Sequence, residues 1–298
     1  REAPVLILRH RETQRVPGGG ANAANNLADL GAKVLPVGVV GNDSAGHALV
    51  DYFRKKRVQT SGILRVPGWT TPRKTRYLAG FTHTARQQVL RVDHEPEART
   101  LPARVRAALV KKARGFARRA SATLVSDYGF GSASPAAVRA LRSKLVLLDS
   151  RFALLDYKGA GITAATPNEP EIEALHHARI GTDTKRLEAL GSRTLRAMKL
   201  QALLVTRGKD GMTLFMRGRQ PVHIPVYGTD QALDVTGAGD TVIATFTLAL
   251  AAGGTFTEAA HLANYAGGIV VMKRGTATVT REELVRAIQA DLSGSSTK

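Results

Sequence analysis

Short apolar runs alternate along the chain with longer stretches in which apolar positions recur every three to four residues. Residues 35–40 are almost all apolar and read as a buried strand. Residues 44–56 follow with Leu49, Val50 and Phe53 on one side, the spacing of an amphipathic helix. The same pairing recurs downstream. Strands are predicted at 122–126, 145–149, 162–166 and 200–206, and helices at 101–119, 135–143, 167–175 and 185–198. Residues 211–215 and 221–226 read as a hairpin pair, and 238–252, 257–273 and 281–290 as three successive helices. Strands alternating with helices of this size predict a parallel sheet covered on both faces.

Two stretches break the alternation. Residues 4–15 and 73–93 have strand-like patterning with no helix behind them, and both are read as strands outside the main sheet, in a small β-lid. The expected organisation is lid strands within 1–17 and 62–95, one core from 18–61 and 96–292, and a disordered tail at 293–298. A length of 298 residues fits one large domain or two modest ones.

Composition narrows the class. No cysteine occurs, which excludes disulfides, thiolate metal sites and a cysteine nucleophile. Apolar residues at 43% are too many for a disordered chain. No apolar run reaches the roughly 18 residues of a membrane helix, and no signal-peptide pattern opens the sequence. A soluble, cytoplasmic protein is expected, with no membrane partner. The net charge of +19 suggests nucleic acid. However, the cations are dispersed, aromatics are 5%, and neither a recognition helix nor zinc spacing is visible. A basic surface, or a basic pocket for a phosphorylated small molecule, is favoured over nucleic acid.

Candidate chemistry lies in four segments. Asp234-Val235-Thr236-Gly237-Ala238-Gly239-Asp240-Thr241 precedes an apolar helix. Free N–H groups at a helix start attract anions, and Asp240 among them would be ionised and able to accept a proton. An anion hole beside a carboxylate base is what phosphoryl transfer to a hydroxyl requires, although a simple turn with a first-turn Asp has the same pattern. In Gly18-Gly19-Gly20-Ala21-Asn22-Ala23-Ala24-Asn25-Asn26, the amides share a helical face suited to a polyhydroxy ligand. Asn168 and Glu171 sit three apart at a strand-to-helix turn, where they could hold water around Mg²⁺ or merely start a helix. Thr206-Arg207-Gly208-Lys209-Asp210-Gly211 is a turn after a strand.

Taken together, and in this order, these segments resemble the ribokinase-type (PfkB) sugar kinases, over about residues 3–290. The resemblance implies a three-layer αβα sandwich with a mostly parallel central sheet and a β-lid. It implies Asp240 as general base and Gly237, Ala238 and Gly239 as the anion hole. Asn168, Thr206, Arg207, Gly208, Gly211 and Asn264 would serve ATP, and Asn168 and Glu171 would orient Mg²⁺ through water. Gly18, Gly19, Gly20, Asn22 and Asn25 would line the sugar, with Lys74, Arg76, Arg86 and Arg91 gripping a sugar phosphate. ATP and Mg²⁺ are the implied cofactors, with room for a monovalent cation. A homodimer through the lid strands is expected.

Glu2-Ala3-Pro4-Val5, residues 85–93, Ser126-Asp127-Tyr128, residues 234–243 and Gly275-Thr276-Ala277-Thr278-Val279 look like the branch that phosphorylates D-glycero-D-manno-heptose 7-phosphate to the 1,7-bisphosphate, a precursor of ADP-heptose and lipopolysaccharide. That branch is often fused to an adenylyltransferase, of which only the kinase half is expected here. Two departures stand out. The family opens on a strand carrying Gly-Asp and an Asp for sugar hydroxyls, and this sequence begins past that point. Asp149-Ser150-Arg151 stands where the branch shows Asp-Pro-Lys. Other readings remain at this stage: a kinase of another sugar or nucleoside, a non-catalytic basic nucleic-acid-binding protein, and, from Gly18-x-Gly20, a nicotinamide-dependent enzyme.

Overall fold

Neighbouring residues of one central strand belong to different cores. In the computed structural model, which describes residues 5–80, 86–97, 100–151, 154–229 and 231–295, Leu147 and Leu148 are both fully buried but join separate apolar clusters. Successive side chains of a strand point to opposite faces, so both faces of this sheet are covered.

Among the described residues the strands are β1 (Gly38–Gly41), β2 (Ile63–Val66), β3 (Arg73–Ala79), β4 (Gln87–His94), β5 (Thr123–Asp127), β6 (Val146–Ser150), β7 (Ala164–Ala165), β8 (Ala202–Thr206), β9 (Met212–Met216) and β10 (Val222–Ile224). The α-helices are α1 (Gly20–Asp29), α2 (Ser44–Lys55), α3 (Ala103–Ala117), α4 (Pro135–Arg139), α5 (Glu169–His176), α6 (Thr184–Met198), α7 (Ala238–Ala251), α8 (Phe256–Val270) and α9 (Arg281–Ser295).

The main sheet runs β10-β9-β8-β7-β6-β5, with β5 to β8 parallel and β9 and β10 antiparallel. On one face, Ile172 of α5 and Leu187, Leu195 and Met198 of α6 pack on Leu148, Leu203, Val205 and Phe215. On the other, Val242, Ile243 and Phe246 of α7 and Ala259, Ala260 and Ala263 of α8 pack on Leu147, Leu204 and Leu214. This is the three-layer αβα sandwich that the resemblance implied. Side-chain caps fix several helix starts: Asp43 accepts from Gly46 N–H, and Asn168 with Glu171 and Thr255 with Glu258 form reciprocal capping boxes.

The lid is smaller than expected. β3 and β4 form a two-stranded antiparallel ribbon with an irregularity at Tyr77/Leu78. β2, placed within the lid range 62–95, instead pairs in parallel with β1, and Val66 and Leu64 pack with Leu101, Val105 and Leu109 at the start of and within α3. The strand predicted at 4–15 does not form over residues 5–15; Val5, Leu6 and Ile7 are exposed and gain no sheet neighbour among the described residues. Residue 4 lies outside the described residues. The tail expected from 293 begins as helix, because α9 continues to Ser295; residues 296–298 lie outside the description.

Candidate active site

The C-terminal ends of the parallel strands, where ligands of open α/β sheets bind, gather the polar residues. Asp127 ends β5, Asp149 lies at the end of β6, and Glu171 lies in the first turn of α5 beyond β7. α7 brings Asp240 to the same place. Gly237, with φ of 80°, is the N-cap of α7, and no side chain caps the helix. The N–H groups of Gly237, Gly239 and Asp240 donate to no acceptor among the described residues, whereas that of Ala238 donates to Val235 O at 3.2 Å. Of the amides expected in an anion hole, that of Ala238 is thus already used, and that of Asp240 stands unpaired beside those of Gly237 and Gly239 among the described residues. Unpaired amides at the positive end of a helix are an anion site in waiting.

Asp240 is 4% exposed. Asn22 Nδ2 donates to its Oδ2 and Tyr128 Oη to its Oδ1, each at 2.9 Å. Burial pushes its carboxyl up to about 6, against the pull of those two hydrogen bonds. Asp149 is pushed up to about 7 by burial and by the charges of Asp240, Glu171 and Asp127, and it accepts no hydrogen bond among the described residues.

The amide row of α1 divides its labour. Asn22 reaches Asp240. Asn26 accepts from Thr241 Oγ1 at 3.0 Å and donates to Asn22 O at 3.1 Å, which ties α1 to α7. Asn25, expected at the sugar, is instead structural: its Oδ1 accepts from Lys56 Nζ at 2.6 Å and Tyr52 Oη at 3.2 Å, joining α1 to α2. Gly18 is open to added volume, while Gly19 and Gly20 back onto Tyr128 and Ser126.

On the expected ATP side, Asn168 Oδ1 accepts from Glu171 N–H and Glu171 Oε2 from Asn168 N–H, so both residues shape the start of α5. Arg207 Nε donates to Glu169 Oε2 at 2.8 Å, within a nearly buried ion pair. Thr206 ends β8, and Gly208 begins the short turn beyond it. Gly211 serves the connection to β9, since a β-carbon there would lie 2.1 Å from Ile224 O. Asn264 is buried and donates to Pro225 O at 2.8 Å.

The four expected lid cations separate. Lys74 and Arg91, with Asp93, Glu95, Tyr128, Phe130 and Arg151, line a cavity of about 210 Å³. Lys74 Nζ and Arg91 Nε both pair with Asp93, at 2.9 and 3.1 Å. Arg86 is not among the cavity walls: it pairs with Glu12 at 2.6 Å and is half exposed. Arg76 is also off the walls and acts electrostatically on Asp234. Tyr128 enters the sequence reading only within a segment that carries the resemblance, and Asp149 and Arg151 only as a departure from it; none of the three is assigned a role there. The available signal was position: each polar residue directly follows, or ends, a buried strand on the carboxyl side of the sheet.

Mg²⁺ fits this set through water. Among the described residues no three carboxylate or imidazole groups converge closely enough to ligate a metal directly. Asp149, pushed up by burial and by the neighbouring Asp240, Glu171 and Asp127 charges, would be relieved by a cation there, and Mg²⁺ usually retains several waters. No helix among the described residues is long and apolar enough to cross a membrane.

Free amides, a buried carboxylate and a cavity carrying three cations lie together on an αβα sandwich. The pfkB family carbohydrate kinase pattern matches residues 2–283, and the chain belongs to that family. It is 41% identical over 295 residues to the bifunctional protein HldE of Geobacter sulfurreducens, covering 96% of this chain and 58% of that protein. It is 40% identical over 309 residues to HldE of Geobacter metallireducens, covering 100% and 60%. The chain thus spans under two thirds of these relatives. Among solved structures, phosphofructokinase-2 of Escherichia coli in complex with potassium superposes with a TM-score of 0.78 at 18% identity, over 98% of this chain and 93% of that one. The ribokinase of Arabidopsis thaliana complexed with ribose and ATP gives 0.73 at 20% identity, over 91% and 87%.

Proposed function

We propose that the chain transfers the γ-phosphoryl group of ATP to a hydroxyl of a sugar phosphate, with D-glycero-D-manno-heptose 7-phosphate as acceptor. The cavity beside Tyr128 carries this reading. Lys74, Arg91 and Arg151 share its walls with Asp93 and Glu95, three cations to two carboxylates, a balance that supports an anionic substrate. The heptose branch is supported by the segments that resemble it and by the near-complete match of this chain to two HldE proteins.

In this mechanism the phosphate end of the sugar lies against Lys74, Arg91 and Arg151, and one hydroxyl reaches Asp240. Asp240 takes the hydroxyl proton as the sugar oxygen bonds to the γ-phosphorus and the bond to the ADP oxygen breaks. The amides of Gly237, Gly239 and Asp240 spread the charge of the transferring group. Asn168 and Glu171 would hold the waters of Mg²⁺, which when bound neutralises phosphate charge. Thr206, Gly208 and the Arg207–Glu169 pair border the nucleotide phosphates, and Asn264 the base. A monovalent cation near this nucleotide side is part of the proposal, as is a cytoplasmic setting. A homodimer would bury the apolar lid residues Tyr77, Leu78, Val89 and Leu90, all exposed in the single chain.

The test is ADP release with ATP, Mg²⁺ and a panel of heptose 7-phosphate, fructose 6-phosphate, ribose, fructose and nucleosides. Heptose 7-phosphate is expected to give the highest kcat/KM. A preference for a neutral sugar or nucleoside would overturn the proposal.

A further inference from the structure

The base is held from one side by a residue that the mechanism above does not use. Tyr128 follows β5 and turns its ring onto the glycine-rich entry to α1. A β-carbon at Gly19 would stand 3.4 Å from Cδ2 and Cε2 of that ring, and Gly19 has φ of 55°. The glycine there leaves the ring its seat, and the left-handed backbone would strain any other residue. From that seat Oη donates to Asp240 Oδ1 at 2.9 Å. The same side chain forms a wall of the cation-lined cavity. It therefore touches both the pocket proposed for the sugar phosphate and the group proposed to deprotonate it.

We propose that Tyr128 is the positioning residue of the base: packed on Gly19, its hydroxyl fixes the Oδ1 edge of Asp240 so that the carboxylate faces the entering sugar hydroxyl. The assignment rests on the kinase reading. Asn22, from α1, holds the other oxygen. Each carboxylate oxygen retains acceptor capacity, so the substrate hydroxyl enters as a further donor without displacing either partner. The groups facing Asp240 are then Asn22 from α1, Tyr128 from the turn after β5 and, electrostatically, Asp149 from β6. Loss of the Tyr128 donor leaves the carboxylate with one fixed edge, next to a like charge.

The experiment compares the wild-type chain with Tyr128→Phe, which keeps the ring on Gly19 and removes one oxygen atom. Two readouts are taken. Carboxyl ¹³C NMR of aspartate-labelled protein, with the Asp240 signal assigned from Asp240→Asn, follows the titration of the base without any turnover. Steady-state kinetics with ATP and heptose 7-phosphate follow catalysis. The expected result is an Asp240 midpoint higher in Tyr128→Phe, an acid limb of kcat/KM moved the same way, and kcat reduced 10-fold or more with KM for ATP within 2-fold. Identical Asp240 midpoints would overturn the contact itself. A moved midpoint with unchanged kcat would overturn the positioning role while leaving the kinase reading in place. If the wild-type chain phosphorylates no member of the sugar panel, the kinase reading fails, and the catalytic sense of the proposal with it, even where NMR detects the contact.

Discussion

Asp240 holds its charge in a place where charge is costly. With its carboxyl pushed up to about 6, the proposed base is ionised only above that pH, so kcat/KM is expected to fall about tenfold per unit below pH 6; a rate profile from pH 4.5 to 8.5 checks this. Asp240→Asn is expected to lower kcat by 10²–10⁴-fold, read by ADP release, with ATP binding retained by calorimetry. Asp149 gives the opposite balance of stability and function. Its folded-state value near 7 stands above the unfolded one, so the native chain is penalised increasingly as pH rises from about 4 to 7. Asp149→Asn is expected to stabilise the metal-free fold by about 1–3 kcal/mol at pH 8, with the gain shrinking toward pH 4, in urea titrations with a chelator present.

At the scale of elements, what sequence could reveal was local. Glycines before an apolar run announce the start of α7, and the Asn168/Glu171 spacing announces the start of α5, because caps and turns are decided within a few residues. The lid was overdrawn because alternation alone cannot tell an extended segment from a paired strand: residues 5–15 have the pattern but no strand partner among the described residues, and β2 has a partner in β1. Asn25 misled for a similar reason, since helical spacing gives a face but not the neighbour, which is Lys56, 31 residues on. Tyr128 meets Asp240 across 112 residues, a distance no local pattern encodes. The lid ribbon is where specificity can be tested. Lys74→Met and Arg91→Met are each expected to raise KM for a sugar phosphate roughly 10-fold or more by loss of a charged contact, leaving KM for ATP unchanged in the same assay.

For the whole molecule, the exposed apolar faces of the lid bear on assembly. Leu90→Glu is expected to convert a dimer to a monomer in sedimentation velocity, with the far-ultraviolet spectrum unchanged; a wild-type chain that sediments as a monomer would remove the basis for that pairing.

The junction of α1 with α7 also bears on biogenesis. Asn22 and Asp240 lie 218 positions apart, and Asn26 and Thr241 lie 215 apart. A chain made only as far as residue 200 holds the glycine turn and β5 to β7, half of the main sheet, but not the proposed base. On the proposed mechanism, nucleotide consumption waits until α7 has docked on α1, so the onset of ATP turnover during refolding would time the arrival of α7.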